Sequence, residues 1–537
     1  MTVDAKTRPA VLARFRKAVE DCGLSGTLLS EQQSADRIKD TFHHEAASAA
    51  SAVLLLSTEE EIRRALSHAR LFGLSVHPIS SGHNWGYGTA RPADPRTSII
   101  FDLSAMNRIL EFDRSLGVVV VEPGVTQDQL ETFLAHNDLD FMVPTTGAGP
   151  SCSLVGNVLE RGYGMTPIAD HFQAVLGVRA LFVDGTIYRS PLWHEDGGTK
   201  AKAPIYRWGV GPYLDGLFAQ NGGAIVTRLA LQLIPRPAHV EMFVFWIGDD
   251  SNLEDVVETI RRLLTSSGLV IGGINLMNAA RVSAMAGATA TKGAVWIGTG
   301  IVYGEPSVVR AGRKVIRCAL SGLATRIVFV NEDRLQLLER LARVPILGNR
   351  IAPLISTVRS AYQMLSGHPG EFALALAYGS NPNAMPEHDR DPARDRCGLL
   401  WYAPLVPMSG ECARQYVRMV ERVCHSYGFA APITFSTLSV AGFDSTVPLI
   451  FPRDEENSAR AFACLKALIG EGRTLGFHPY RFHSALMDEA TSGALDHWHL
   501  AEKIRSVIDP ENLIAPGRYQ LRASPSMPTH SVQEIAT

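Results

Sequence analysis

An α+β protein in two parts is what this sequence predicts, on three observations. A strand–helix–strand order that begins at Ala52 runs into a glycine-studded loop, Ser80-Ser81-Gly82-His83-Asn84-Trp85-Gly86-Tyr87-Gly88. Two further glycine-rich stretches, Gly147 to Gly164 and Gly209 to Gly223, follow in the same half of the chain. Beyond Pro235-Arg236-Pro237 strands and helices still alternate, but the glycine loops stop, which marks a second unit.

Each element has a local reason. Residues before about Ala50 read as a helical arm and a polar loop. Val53-Leu54-Leu55-Leu56 is a short buried strand. Ser57 with Glu60 predicts a capping box, Ile62, Ala65, Leu66 and Ala69 share one helical face, and Gly73 closes the helix. Strands follow at Leu74 to Ile79, Ser98 to Phe101 and Gly117 to Val121. Thr126 and Gln129 form a second capping box ahead of Leu130, Phe133 and Leu134. Asp184-Gly185 is a hairpin turn between strands Val175 to Val183 and Thr186 to Arg189. In the second unit Val240 to Ile247, Glu371 to Tyr378 and Gly398 to Val406 read as strands. Leu253 to Leu264, Glu411 to Tyr427 and Ser458 to Leu475 read as helices. The Ser- and Pro-rich tail, 523–537, reads as frayed.

Composition narrows the function. The 537 residues exceed one ordinary domain, and 46% hydrophobic with 20% charged residues is a globular balance. A net charge of -3 predicts no nucleic-acid partner, and no apolar run is long enough to span a bilayer. Met1 to Ala10 lacks an apolar signal core, and the seven scattered cysteines contain no Cys-x-x-Cys. Both point to a cytoplasmic protein with reduced thiols. His43-His44-Glu45 and His497-Trp498-His499 lack zinc spacing, so no metal is expected. Neither a Gly-x-Gly-x-x-Gly turn nor a Gly-x-x-x-x-Gly-Lys loop occurs, and no Gly-x-Ser-x-Gly elbow supports a serine hydrolase. Three converging glycine loops can still cradle a pyrophosphate with backbone N–H groups and so hold an extended dinucleotide.

The loop Ser80 to Gly88, Val121-Glu122-Pro123-Gly124-Val125, the block Ser153 to Pro167, Asp170-His171, Gly211 to Phe218, Gly223 to Thr227, Tyr480-Arg481 and Asp509 to Arg518 together resemble the vanillyl-alcohol oxidase / p-cresol methylhydroxylase family of FAD-linked oxidases. The resemblance runs from about residue 50 to 520. It implies an FAD-binding domain of residues 50–237 completed by 489–522, a cap domain of 238–488 inserted between, and an N-terminal arm of 1–49. It also implies homodimers, a small aromatic substrate, and oxygen or another electron acceptor.

Site residues follow by the same resemblance. FAD contacts fall on Ser80, Ser81, Gly82, His83, Asn84, Gly86, Tyr87, Pro144, Ser153, Gly156, Asn157, Gly162, Gly164, Gly222, Ile225, Val226 and Arg518. In related 6-hydroxynicotine oxidases and cytokinin dehydrogenases the loop histidine bonds the flavin 8α-methyl, which implies a covalent link at His83. The cap anchor of the phenol oxidases falls near Leu399, which cannot form one. Cys152 is a weaker candidate for a second link. Tyr87, Tyr480 and Arg481 match the positions around a substrate phenol oxygen; two hydroxyl donors and a guanidinium stabilise a phenolate in a dry pocket. Hydride then leaves the benzylic carbon for the flavin. The stretch Thr145 to Cys152 holds no carboxylate where the phenol oxidases place an aspartate, so a general base is absent or supplied elsewhere. That leaves a tailoring oxidase for a non-phenolic alcohol or amine, or a flavin- or ligand-binding protein without activity, as alternatives.

Overall fold

The computed structural model describes residues 8–24, 28–42, 52–94, 99–164, 167–193, 203–266, 270–291, 293–342 and 345–521. The tail from 523, Ser98 and the motif His43-His44-Glu45 lie outside the described residues.

Three strands form a small parallel sheet in the order Ala52–Leu55, Ile99–Asp102, Val76–Ile79. Its central strand is buried throughout, the pattern of a parallel sheet covered on both faces. The helix Glu59–Leu71 covers it with Ile62, Ala65, Leu66 and Ala69. Its cap is Thr58 with Glu61, one residue later than Ser57 with Glu60. The reason is the ladder: the Leu56 N–H still donates to the Asp102 carbonyl, so the strand's bonding runs on and the cap moves down. Ser57 donates to the same Glu61 carboxylate from outside the helix. The C-terminal segment returns here: Ala515 N–H donates to Val76 O, and Val76 N–H to Leu513 O.

A second, antiparallel sheet has the order Ile109–Asp113, Val118–Val121, Ala224–Gln232, Val175–Phe182, Ile187–Arg189. The third sheet is larger and antiparallel: Arg326–Val330, His239–Ile247, Trp296–Gly304, Val270–Asn278, Thr434–Thr437, Gly442–Pro452, Cys397–Tyr402, with Leu405–Pro407 also on Gly442–Pro452. Alternation splits its side chains. Ile274, Leu276, Phe435, Phe443 and Val447 join the core beneath the helices Leu253–Ser266, Gly410–Ser426 and Glu455–Thr474. Asn275, Met277, Thr434, Ser436, Asp444 and Thr446 point the other way, into a cavity.

Phe372–Ser380 is a 3₁₀ helix, not the strand that its apolar alternation suggests. Its Ala and Leu residues lack β-branching, and Leu374 and Ala377, three apart, turn into one cluster with Trp85 and Leu399. The N-terminal arm is part of the body. Leu12, Phe15 and Val19 enter the core under the parallel sheet, and Arg37 pairs with Asp102. The Thr41 hydroxyl accepts from Gly86 N–H at 3.0 Å and donates to Leu399 O at 3.0 Å. Among the described residues no helix is long and apolar enough to cross a membrane.

Candidate active site

A cavity of about 410 Å³ lies between the glycine loops and the inner face of the large sheet. Its loop wall is mostly backbone. Ser81, Gly82, His83 and Asn84 donate no backbone hydrogen bond among the described residues, leaving consecutive N–H groups free. Ser153 locks the neighbouring loop: its N–H donates to Ser81 Oγ at 3.1 Å, its hydroxyl donates to Pro123 O at 2.6 Å and accepts from Gly156 N–H at 3.0 Å. Glycine is forced by close approach at two places. A Cβ on Gly156 would lie 2.2 Å from Ser80 Oγ, and one on Gly164 would lie 2.4 Å from both Thr145 O and His171 Nε2. Burial drops the His171 pKa to about 4, so its neutral ring pairs with Asn157 at 2.7 Å.

His83 lines the cavity, stacked on Trp85 with ring centroids 4.7 Å apart. Its Nδ1 lies 3.1 Å from Ser151 Oγ. Burial lowers its pKa, against the pull of Asp391, so the imidazole is neutral. Cys152 lines the same space, but burial raises its thiol pKa and keeps it out of the reactive thiolate form.

Tyr87 meets the adjacent pair Tyr480 and Arg481, which begins 393 residues further along the chain, in this cavity. The Arg481 guanidinium lies 4.5 Å over the Tyr87 ring and donates to Asn84 Oδ1. Its Nε stands 3.7 Å from Glu160, which also accepts from Arg518. Tyr163, within the block Ser153 to Pro167, packs its ring 4.6 Å from Tyr480. Burial raises the pKa of both Tyr87 and Tyr480, so their hydroxyls stay protonated donors. Two phenol donors beside a guanidinium can stabilise an oxyanion.

Three residues expected at the cofactor do not line the cavity: Gly86, Pro144 and Gly222. The Gly86 N–H is taken by Thr41, and its Cα backs onto Trp401. Gly222 faces Arg505 and Ile514 O. Pro144 lies between Val143 and Thr145, which are bonded to Gly367 and Met364. All the other expected residues line it, as does Leu399.

Two charged residues were not read from the sequence. Asp444, on Gly442–Pro452, is 6% exposed, and burial raises its pKa to about 7 against the opposing pull of Arg481 and Arg281. Arg281 is 8% exposed, and burial lowers its pKa to about 10. The available signal was a carboxylate inside the strand Gly442–Pro452, whose other residues carry no charge. It supplies an acid where the loop Thr145 to Cys152 has none.

A profile described as an FAD binding domain matches residues 50–190. The chain is 31% identical over 490 residues to 1'-carboxy-chondrochloren decarboxylase of Chondromyces crocatus, covering 86% of this chain and 89% of that protein. It belongs to the vanillyl-alcohol oxidase / p-cresol methylhydroxylase family. The 4-cresol dehydrogenase (hydroxylating) flavoprotein subunit of Pseudomonas putida is 27% identical over 476 residues, 86% of each chain. The 4-ethylphenol oxidase of Gulosibacter chungangensis, in its isoeugenol complex, shares the fold, with a TM-score of 0.84, 22% identity, and 96% and 98% of the two chains covered. This family member is therefore an FAD-dependent oxidoreductase. Its loop wall fits that cofactor: free backbone N–H groups at Ser81 to Asn84 suit a pyrophosphate, and the close packing at Gly156 and Gly164 sets the loops that line the groove.

Proposed function

We propose that this flavoenzyme removes hydride from the benzylic carbon of a para-substituted phenol. The carrying observation is the convergence of Tyr87, Tyr480 and Arg481 in the cavity that the FAD loops also line. Ser80 to Asn84 and Ser153 to Gly164 hold the cofactor. Tyr87 and Tyr480 donate to the phenol oxygen, and Arg481, braced by Glu160 and Asn84, compensates the phenolate charge. A phenolate pushes electron density towards the para carbon, and that makes hydride departure easier. FAD supplies the hydride acceptor, renewed by oxygen or another acceptor. His83 would be the residue that holds the flavin covalently, since its neutral, buried ring is a competent nucleophile.

A second reading keeps this first step and changes the product. It is favoured by the relative at 31% identity, whose name describes a decarboxylase. If the substrate carries a carboxylate one carbon beyond the benzylic position, hydride loss leaves a quinone methide. The electron pair of the C–COO⁻ bond then forms the side-chain double bond, the phenolate is restored and CO2 leaves.

Anaerobic flavin bleaching by a substrate panel tests both. Bleaching by a para-substituted phenol of the panel, 4-ethylphenol or 3-(4-hydroxyphenyl)propanoate, is expected. Bleaching by alcohols or amines but by no phenol would refute the proposal, and bleaching by dithionite alone would indicate a protein without activity. Acid precipitation should leave yellow colour in the washed pellet, and His83→Ala should lose it; colour in the wild-type supernatant ends the covalent assignment.

A further inference from the structure

We propose that Arg281 is the anchor for a carboxylate on the side chain of the substrate, making this cavity selective for phenols that carry an acid group. The proposal rests on the phenol reading for the substrate's other end, and on the wall of the cavity contributed by the large sheet for the acid group.

That wall is polar in an ordered way. Strand register sets Asn275 opposite Ser436 and Ser436 opposite Asp444, so three side chains form one row across three strands. Thr434 and Thr446 sit opposite each other in the next row. Arg281 enters beside them from the helix Ala279–Ala286, its guanidinium 5.4 Å over the Trp401 ring. Asn275 Oδ1, Thr434 Oγ1, Asp444 Oδ1 and Arg281 Nε and NH1 are all buried, and none has a hydrogen-bond partner among the described residues. Five orphaned polar atoms on one wall of one cavity are costly unless a ligand completes them.

The charge pattern selects the ligand. Arg281 makes no ion pair among the described residues, although Asp444 is close enough for each to perturb the other's ionisation. Burial raises the Asp444 pKa to about 7, so below neutral pH it is mostly protonated and offers a donor rather than a counter-charge. Arg281 is left as an uncompensated, pre-organised fork whose planar N–H groups match a carboxylate. The cofactor's pyrophosphate is not its partner, because the free backbone N–H groups suited to that group belong to the loop Ser81 to Asn84. Apolar Met277, Met285 and Trp401 line the cavity with Arg281, which suits an aryl-aliphatic acid.

Two ligands without a phenol hydroxyl test this apart from the chemistry: 3-phenylpropanoate and its neutral counterpart 3-phenylpropanamide. Isothermal titration calorimetry on the purified flavoprotein should show the acid binding about tenfold or more tightly than the amide. Arg281→Met should abolish that preference, and Arg281→Lys, which keeps the charge and loses the fork, should retain only part of it. Equal affinity for acid and amide in the wild type, binding of neither, or a preference that survives in Arg281→Met would each overturn the proposal; the wild-type comparison decides even if a variant fails to fold. Turnover of the phenolic acid 3-(4-hydroxyphenyl)propanoate by the wild type is measured in parallel. A carboxylate preference without turnover of that phenolic acid sinks the phenol reading and leaves the anchor standing.

Discussion

The two walls of the cavity are built by opposite means. The loop wall recognises with backbone: glycines remove side chains, and the N–H groups of Ser81 to Asn84 are left free. The sheet wall recognises with side chains: Asn275, Thr434, Asp444 and Arg281 are held by strand register and packing, with their polar atoms unsatisfied. A wall of backbone suits a ligand that never changes, because altering it means altering the fold. A wall of side chains can be changed one residue at a time, so it is where relatives with one cofactor can differ in substrate.

The comparison can be broken at several points. The largest expected effect is at Arg481. Arg481→Ala should lower turnover of a phenol by roughly two to three orders of magnitude while flavin content holds. Equal loss of turnover and flavin would place Arg481 with the cofactor wall instead. Next is the loop wall itself. Gly164→Ala drives a Cβ to 2.4 Å from the Thr145 carbonyl, a backbone atom that cannot swing aside. Flavin content of the purified variant should fall about tenfold, and full occupancy would show that the loop is looser than its packing implies.

Asp444 gives a smaller effect with a definite sign. Its folded pKa of about 7 lies above the ordinary carboxylate value, so folding favours its protonated form. Wild-type stability should therefore decline as pH rises from about 4 through about 7, and Asp444→Asn should lose that part of the slope. Parallel melting curves for both proteins across this range would contradict the buried-acid assignment. The smallest effect lies away from the cavity. Thr58→Ala removes the cap of Glu59–Leu71 and should cost about 1 kcal/mol, seen as faster amide exchange in the first turn of that helix.

The walls also differ in how far sequence reveals them. Loop residues lie close together in the chain, so Gly82-His83-Asn84 or Ser153 to Gly164 can be read as a unit, as can both capping sites to within one residue. Contiguity also misleads: Gly86 sits inside the motif yet its N–H is bonded to Thr41, away from the cavity. The sheet wall is assembled by register between distant strands, Asn275 beside Ser436 and Ser436 beside Asp444. No local pattern announces such a row, and Arg281 looks like any helix-surface arginine until the cavity is seen around it. The alternation in Phe372–Ser380 failed for a related reason, since period-two apolarity does not distinguish a strand from a short 3₁₀ turn packed on one side.

Thr41 joins the loop at Gly86 to the strand at Leu399, 358 residues further on. During synthesis Thr41 leaves the ribosome long before the strand that holds Leu399 exists. At about 5 to 20 residues per second, that wait is roughly 20 to 70 s. The nascent chain must carry Phe42, destined for the core beneath the large sheet, without its final partners for all of that time. The stretch at Thr41 and Phe42 is thus among the last to settle, although Leu12, Phe15 and Val19 ahead of it find their core as soon as the parallel sheet is made, and a chaperone that shields Phe42 would act on the yield of enzyme rather than on its chemistry.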